Sequence, residues 1–187
     1  HQHTGRDVFL TLALAANRTH EVTLYPAVTN PVTRHPMVLA SIAHSLEEIA
    51  PRRIILCVGA GFMSTRHINR SSATVTEMRS VVMETKRLLA GEQVYPGLTE
   101  GKLIRASDPP TPVYICATGP RMIELAGEIA DGAMLMVGLH PEMLTDAMDS
   151  LDKGARRAGR TVEEIPLTLV AGGVLSDSRR SAVDTCL

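Results

Sequence analysis

The sequence predicts an α/β protein built on a parallel sheet, and three observations carry that prediction. Helix-period and strand-like apolar segments alternate along the 187 residues, an order that calls for right-handed crossovers between parallel strands. One run, "RRIILCVGAGF", is almost uninterrupted in its apolar character, as expected of a strand covered on both faces. Small residues end the apolar runs, at Pro26-Ala27-Val28-Thr29-Asn30, Gly59-Ala60-Gly61, Cys116-Ala117-Thr118-Gly119, Met136-Val137-Gly138 and Gly172-Gly173. Ligands of parallel α/β proteins gather at these carboxyl ends, and small side chains leave them room.

The elements follow from spacing. Val8, Leu12, Ala15 and Ala16 predict a helix over 7–17. Alternation around Val22 and Leu24 predicts a strand over 21–28. Leu39, Ile42, Ala43, Leu46 and Ile49 place a second helix behind Pro36, a residue suited to a first turn. The apolar run ending at Gly59-Ala60-Gly61 is the next strand, and the polar residues 62–73 read as a loop. Thr74 and Glu77 have capping-box spacing ahead of Val75, Met78, Val82 and Leu89, a third helix. Residues 91–112 are rich in Gly and Pro and predict an insertion loop near a site. Strand 113–117, helix 120–130, strand 132–137, helix 141–158, strand 165–174 and a helix from Ser178 complete the order. Five strands alternating with helices fit an open doubly wound sheet or part of an eight-stranded barrel. The chain opens on His1 rather than Met and stops at Leu187 just after a helical pattern begins, so a fragment is expected.

Composition excludes several classes. Nineteen basic residues against 20 acidic leave a formal charge of −1, without the basic footprint of a nucleic-acid binder. Aromatics are 3% with no Trp, which leaves no base-stacking platform. No apolar run approaches the roughly 18 residues of a membrane span. Cys57, Cys116 and Cys186 are scattered and odd in number, which points to a reduced, cytoplasmic setting without metal-ligand spacing.

"ATGPR" holds the strongest local signal. Gly119 permits close backbone approach, Pro120 suits a first helical position, and the helix start directs N–H groups and a positive dipole end outward. Thr118 and Arg121 add a hydroxyl and a guanidinium, so a phosphate is a natural guest; the alternative is that Thr118 caps the helix and Arg121 is solvated. Gly59-Ala60-Gly61 tempts a dinucleotide reading, but Ser64 stands where the third glycine belongs and a polar loop is expected before any helix. His35 reads as a cap or surface residue, and His44 as structural. Glu47, Glu48, Glu163 and Glu164 read as solvated, and Met134, Met136, Met143 and Met148 as core. No Ser-His-Asp arrangement, carboxylate pair or metal cluster stands out. Small residues without acid–base machinery suit a cofactor that brings its own chemistry.

"LYPAVTNPVTRHPMVLASIAHSLEEI", "RRIILCVGAGF" and "PVYICATGPRMIELAGEIADGAML" resemble core segments of the luciferase-like flavin and deazaflavin oxidoreductases. The resemblance covers roughly residues 1–175 and is greatest to the methylenetetrahydromethanopterin-reductase-like branch. It implies a (β/α)8 TIM barrel in one domain, 1–187, represented by about five βα units without the first two strands and the last. It implies a bulged strand end at Ala27-Val28, often a non-prolyl cis peptide in this family, behind the cofactor ring. Gly59, Ala60 and Gly61 would line the next strand end. Cys116, Ala117, Thr118, Gly119, Pro120 and Arg121 would surround the ribityl and phosphate part of the cofactor. His1 would match a histidine that follows an aspartate absent here. The implied activity is hydride transfer between the deazaflavin coenzyme F420 and an organic small-molecule substrate, in a homo-oligomer, a dimer, with 62–73 or 91–112 as a closing loop. The alternatives are an FMN-dependent monooxygenase of the same superfamily, a non-catalytic flavin-binding barrel, and an open-sheet sugar- or nucleotide-binding domain.

Overall fold

A four-stranded parallel sheet in the order β1-β2-β3-β4 organises the chain, with each strand beside its successor in sequence. The computed structural model describes residues 5–95, 97, 101–103 and 105–186. The strands are β1 (Leu56–Gly59), β2 (Val113–Ala117), β3 (Gly132–Leu135) and β4 (Leu167–Leu169). Around them run α1 (Val8–Arg18), α2 (Pro36–Ile49), α3 (Phe62–Arg66), α4 (Val75–Leu89), α5 (Pro120–Ile129), α6 (Pro141–Arg157) and α7 (Arg179–Cys186). Sequential strand order with a helix after each strand is how a (β/α)8 barrel grows, and the sheet is an arc of one.

Strand alternation sorts side chains into two apolar groups. Leu56, Val58, Val113, Ile115, Ala117, Ala133 and Leu135 join the helices in the main core. On the other face Cys57, Cys116 and Met134 cluster with Tyr25, Val28, Tyr114 and Val170. The second group faces what would be the barrel interior.

The predicted strand over 21–28 is reduced to isolated parallel bridges, Leu24 to Ile54 and Thr29 to Val58. Pro26 sits between them with no N–H to donate, which interrupts a ladder. The peptide bond Ala27-Val28 is cis, as the resemblance implied. The strand expected over 165–174 is confined to Leu167–Leu169, although Val170 still donates its N–H to the Leu135 carbonyl at 2.8 Å. Past that point Gly172 and Gly173 bring no side chain to pack.

The helix ends bear out their sequence signals. Thr74 and Glu77 form the capping box of α4. His35 caps α2, its ring Nδ1 accepting the Met37 N–H at 3.2 Å, and His44 contacts Ser107 at 3.2 Å. Two expectations need correcting. Glu47 is buried at 8% exposure because its carboxylate accepts the Arg52 N–H just beyond the end of α2. Of the methionines expected in the core, Met136 and Met143 are about half exposed: Met136 stands just past the carboxyl end of β3, and Met143 lies in the first turn of α6.

Candidate functional site

The carboxyl ends of β1 and β2 and the bulged segment before them meet at one place. A Cβ built on Gly59 would stand 2.8 Å from Val28 Cγ2 and 3.6 Å from Cys116 Cβ. Two predicted site residues, Val28 and Cys116, thus flank a third, Gly59, with Ala27 exposed beside them. The segment is tied to β1 by backbone bonds, Thr29 N–H to the Cys57 carbonyl at 3.1 Å and Gly59 N–H to the Thr29 carbonyl at 2.8 Å.

Asn30 holds the rim above this contact, and sequence reasoning missed its role. It is 1% exposed, and its Oδ1 accepts the N–H groups of Val32 and Thr33, both at 3.0 Å. Its Nδ2 donates to Ser64 Oγ at 3.0 Å, which joins the loop after Thr29 to α3. An Asn followed by Pro is a turn signal and was legible as such; the link to Ser64 was not, because the two are 34 residues apart.

Gly61 begins α3 with φ of 91°, a left-handed conformation that favours glycine. A Cβ there would meet Thr65 Cγ2 at 2.9 Å and Asn30 at 3.0 Å. Residues 62–73 are therefore not simply a loop: a helix starts at once after Gly61. It lasts five residues, too short for the helix of a dinucleotide fold. Phe62 and Met63 are more than half exposed on it, and the Arg66 guanidinium lies 5.4 Å from the Phe62 ring centre. Ala60 is held by its carbonyl, which accepts the Ala73 N–H at 2.9 Å.

The turn after β2 is different in kind. Gly119, not Thr118, is the N-cap of α5, and no side chain caps that helix. The Gly119 carbonyl accepts from Met122 and Ile123, both at 3.0 Å. A Cβ on Gly119 would meet nothing within 4 Å, and its φ of −108° suits any residue. Thr118, Pro120 and Arg121 are exposed, while Ala117 is buried. The turn is open ground at an uncapped helix start.

The acidities here favour neutral groups. Burial pushes the Cys116 thiol up to about 11. It raises Cys57 further still, helped by the neighbouring Cys116. Burial also raises Tyr114. Both thiols stay protonated at neutral pH, so neither is a ready nucleophile. Among the described residues no group of three or more His, Cys, Asp or Glu side chains is placed to hold a metal ion.

Of the two candidate closing loops, 62–73 rises from this face. The described part of 91–112 packs outside, against the helices: the Tyr95 hydroxyl donates to Glu84 at 3.0 Å and its ring lies 5.5 Å from that of His35. A groove of about 480 Å³ lined by Glu47, Arg52, Ile54, Thr111 and Pro112 opens at the opposite end, where strands begin and ligand-binding loops do not arise. His1 lies outside the described residues.

Residues 1–186 match the family described as luciferase-like monooxygenase. A 5,10-methylenetetrahydromethanopterin reductase of Methanolobus tindarius is 33% identical over 180 residues, covering 90% of this chain and 53% of the relative. An F420-dependent glucose-6-phosphate dehydrogenase of Nakamurella multipartita is 31% identical over 182 residues, again 90% and 53%. The solved coenzyme F420-dependent tetrahydromethanopterin reductase from Methanopyrus kandleri superposes with a TM-score of 0.84 at 26% identity, over 96% of this chain and 58% of that one. The chain thus spans about half the length of the curated relatives it matches.

Proposed function

The chain belongs to the luciferase-like monooxygenase family, and on that premise we propose that it forms part of an oxidoreductase moving hydride between the deazaflavin coenzyme F420 and a small organic substrate. The relatives named for F420 support the cofactor. The observation that carries the reading is the open turn at Gly119, set beside the Val28–Gly59–Cys116 contact on the same rim. A cofactor with a flat ring and a phosphate-bearing tail fits that pair: apolar wall first, uncapped helix start next.

F420, when bound, supplies the hydride chemistry through its own ring. The residues bind and orient. Ala27, Val28, Gly59, Ala60, Gly61 and Cys116 form a wall in which the thiol is neutral, so no charge competes at the ring. Gly119 brings the backbone close, and the start of α5 offers the Arg121 N–H and a positive dipole end to the phosphate, the Met122 and Ile123 N–H groups being turned to the Gly119 carbonyl. Thr118 adds a donor hydroxyl beside Ala117 and Pro120, and Arg121 a screened positive charge. Exposed Phe62 and Met63 give the substrate side an apolar margin.

A second reading, an FMN-dependent monooxygenase, draws on the family description itself; both cofactors carry a phosphate-bearing tail to the same turn. Titrating the full protein with F420 and with FMN separates them. F420 binding with substrate-dependent change in its absorbance is expected; tight FMN binding with no response to F420 would overturn the first reading. Residues 1–187 are read as one barrel domain and the enzyme as a cytoplasmic homodimer, a setting in keeping with the free Cys57 and Cys116. Light scattering at the mass of a monomer would remove the dimer. No helix among the described residues is long and apolar enough to cross a membrane.

A further inference from the structure

The segment that follows β1 carries large apolar side chains and positive charge into solvent on a backbone that is tied down. Phe62 is 64% exposed, Ile68 53% and Met63 52%. Apolar exposure so concentrated marks a surface that meets something, and it does not come from a loose chain. Ser64 Oγ accepts from Asn30 Nδ2 at 3.0 Å, and the Thr65 hydroxyl donates to the Gly61 carbonyl at 2.6 Å. The N–H groups of Arg70 and Ala73 donate to the Thr65 and Ala60 carbonyls, both at 2.9 Å. The charge is one-sided as well. Arg66, His67 and Arg70 lie between Gly59 and Thr74, and no Asp or Glu does. The first acid beyond, Glu77, is engaged by the N–H and hydroxyl of Thr74. Among the described residues neither Arg66 nor Arg70 forms an ion pair.

We propose that, on the reading of this rim as a hydride-transfer site, Phe62 and Arg66 together select the substrate, and that the substrate is an organic anion with an apolar body. The Arg66 guanidinium stands over the Phe62 ring, 5.4 Å from its centre. Such stacking uses the flat face of the guanidinium and leaves its N–H edge, the edge that grips carboxylate or phosphate oxygens. The exposed ring and Met63 cover the apolar body, and the guanidinium takes the charge. The position suits this work. Phe62 follows Gly59 closely in the chain, and three residues of chain span at most about 11 Å. A cofactor ring against Val28, Gly59 and Cys116 therefore has the pair within reach of a substrate lying on it. An acid in the same segment would cancel the charge that draws the guest, and the segment has none. Cationic guests are repelled here, and neutral ones gain only the ring.

The test uses the full protein, with and without saturating F420, and two probes of one shape, naphthalene-2-carboxylate and its neutral amide. Probe affinity is read from the NMR signals of the naphthalene protons. At low salt the carboxylate should bind about fivefold more tightly than the amide, the upper range for an exposed ion pair, and added salt should close the gap. Arg66→Gln should close it by weakening the carboxylate alone. Phe62→Leu should weaken both probes by at least about twofold, the scale of a lost aromatic contact. Both side chains are exposed, so neither change should move the melt. Equal affinities in wild type, or a gap that survives Arg66→Gln, overturn the proposal. A gap that closes equally in Arg70→Gln also overturns it, because the whole segment's charge and not the pair would then be at work. F420 affinity should be the same in Arg66→Gln as in wild type; a loss there assigns Arg66 to the cofactor and overturns its role toward substrate. A wild-type protein that does not bind F420 sinks the hydride-transfer reading by itself, and the probes then decide the pair on F420-free protein.

Discussion

After β1 the chain turns through Gly59-Ala60-Gly61 into α3, and after β2 it turns through Ala117-Thr118-Gly119 into α5. On paper both are small-residue turns between an apolar strand and a helix. In space the first is filled: Gly61 is left-handed and pressed between Asn30 and Thr65. The second is open, with an ordinary backbone and, beyond its chain neighbours, no atom within 4 Å of a Cβ at Gly119. A glycine at a strand end can therefore serve the fold or serve a guest. The space around its missing side chain tells which.

The contrast breaks most easily at Gly61. Gly61→Val combines a strained positive φ with contact against Asn30 and Thr65, and should cost about 3 kcal/mol of stability in a urea or thermal melt. A melt unchanged from wild type would remove the distinction between the two turns. Asn30→Ala comes next. It strips the acceptor from the part-buried hydrogen bonds of the Val32 and Thr33 N–H groups and should cost about 2 kcal/mol, the net worth of two ordinary hydrogen bonds. Loss of less than about 0.5 kcal/mol would mean the rim is held by other bonds.

This contrast also marks how far the sequence could be read. Helix α4 with its capping box, strand β2 and the start of α5 were legible because their signals are local: Thr74 with Glu77, a run of five apolar residues, Pro120 at a first turn. The segment at 21–28 was misread because alternation around Val22 and Leu24 outweighed the missing donor of Pro26. Residues 62–66 read as loop because their helix is held by Gly61 and Asn30 rather than by an apolar stripe. The glycines were legible as room near a site, and Val28, Gly59 and Cys116 do come together. That Gly61 is filled by Asn30 across 31 positions of chain depends on tertiary contact, which no local pattern carries. Burial of Glu47 was hidden for the same reason, its partner being a backbone N–H beyond the helix end.

At the open turn the expected effects move from stability to binding. Gly119→Val places a side chain in free space, so the melt should shift by no more than about 1 kcal/mol, the range for a poorer N-cap. The same change should lower F420 affinity more than about tenfold, a loss of about 1.4 kcal/mol, because the new methyl groups occupy the approach to the backbone. A variant that unfolds would place Gly119 with Gly61 as a glycine of the fold. A variant that melts and binds like wild type would leave the turn without a guest.

Arg121 offers the smallest effect and the finest distinction within that turn. Its side chain is exposed, so any pull it exerts on a phosphate acts through water and is screened by salt. Arg121→Ala should leave the melt unchanged and weaken F420 binding by no more than about tenfold, the scale of one charge-assisted bond. Arg121→Lys should recover most of that loss if the guanidinium acts as a plain positive charge, and little if it grips the phosphate through two parallel N–H bonds. Raising ionic strength should erode the wild-type advantage over Arg121→Ala. An affinity gap that persists at high salt would argue for a desolvated contact, and no gap at any salt would return Arg121 to the solvated surface, leaving Thr118, Gly119 and the start of α5 to hold the phosphate.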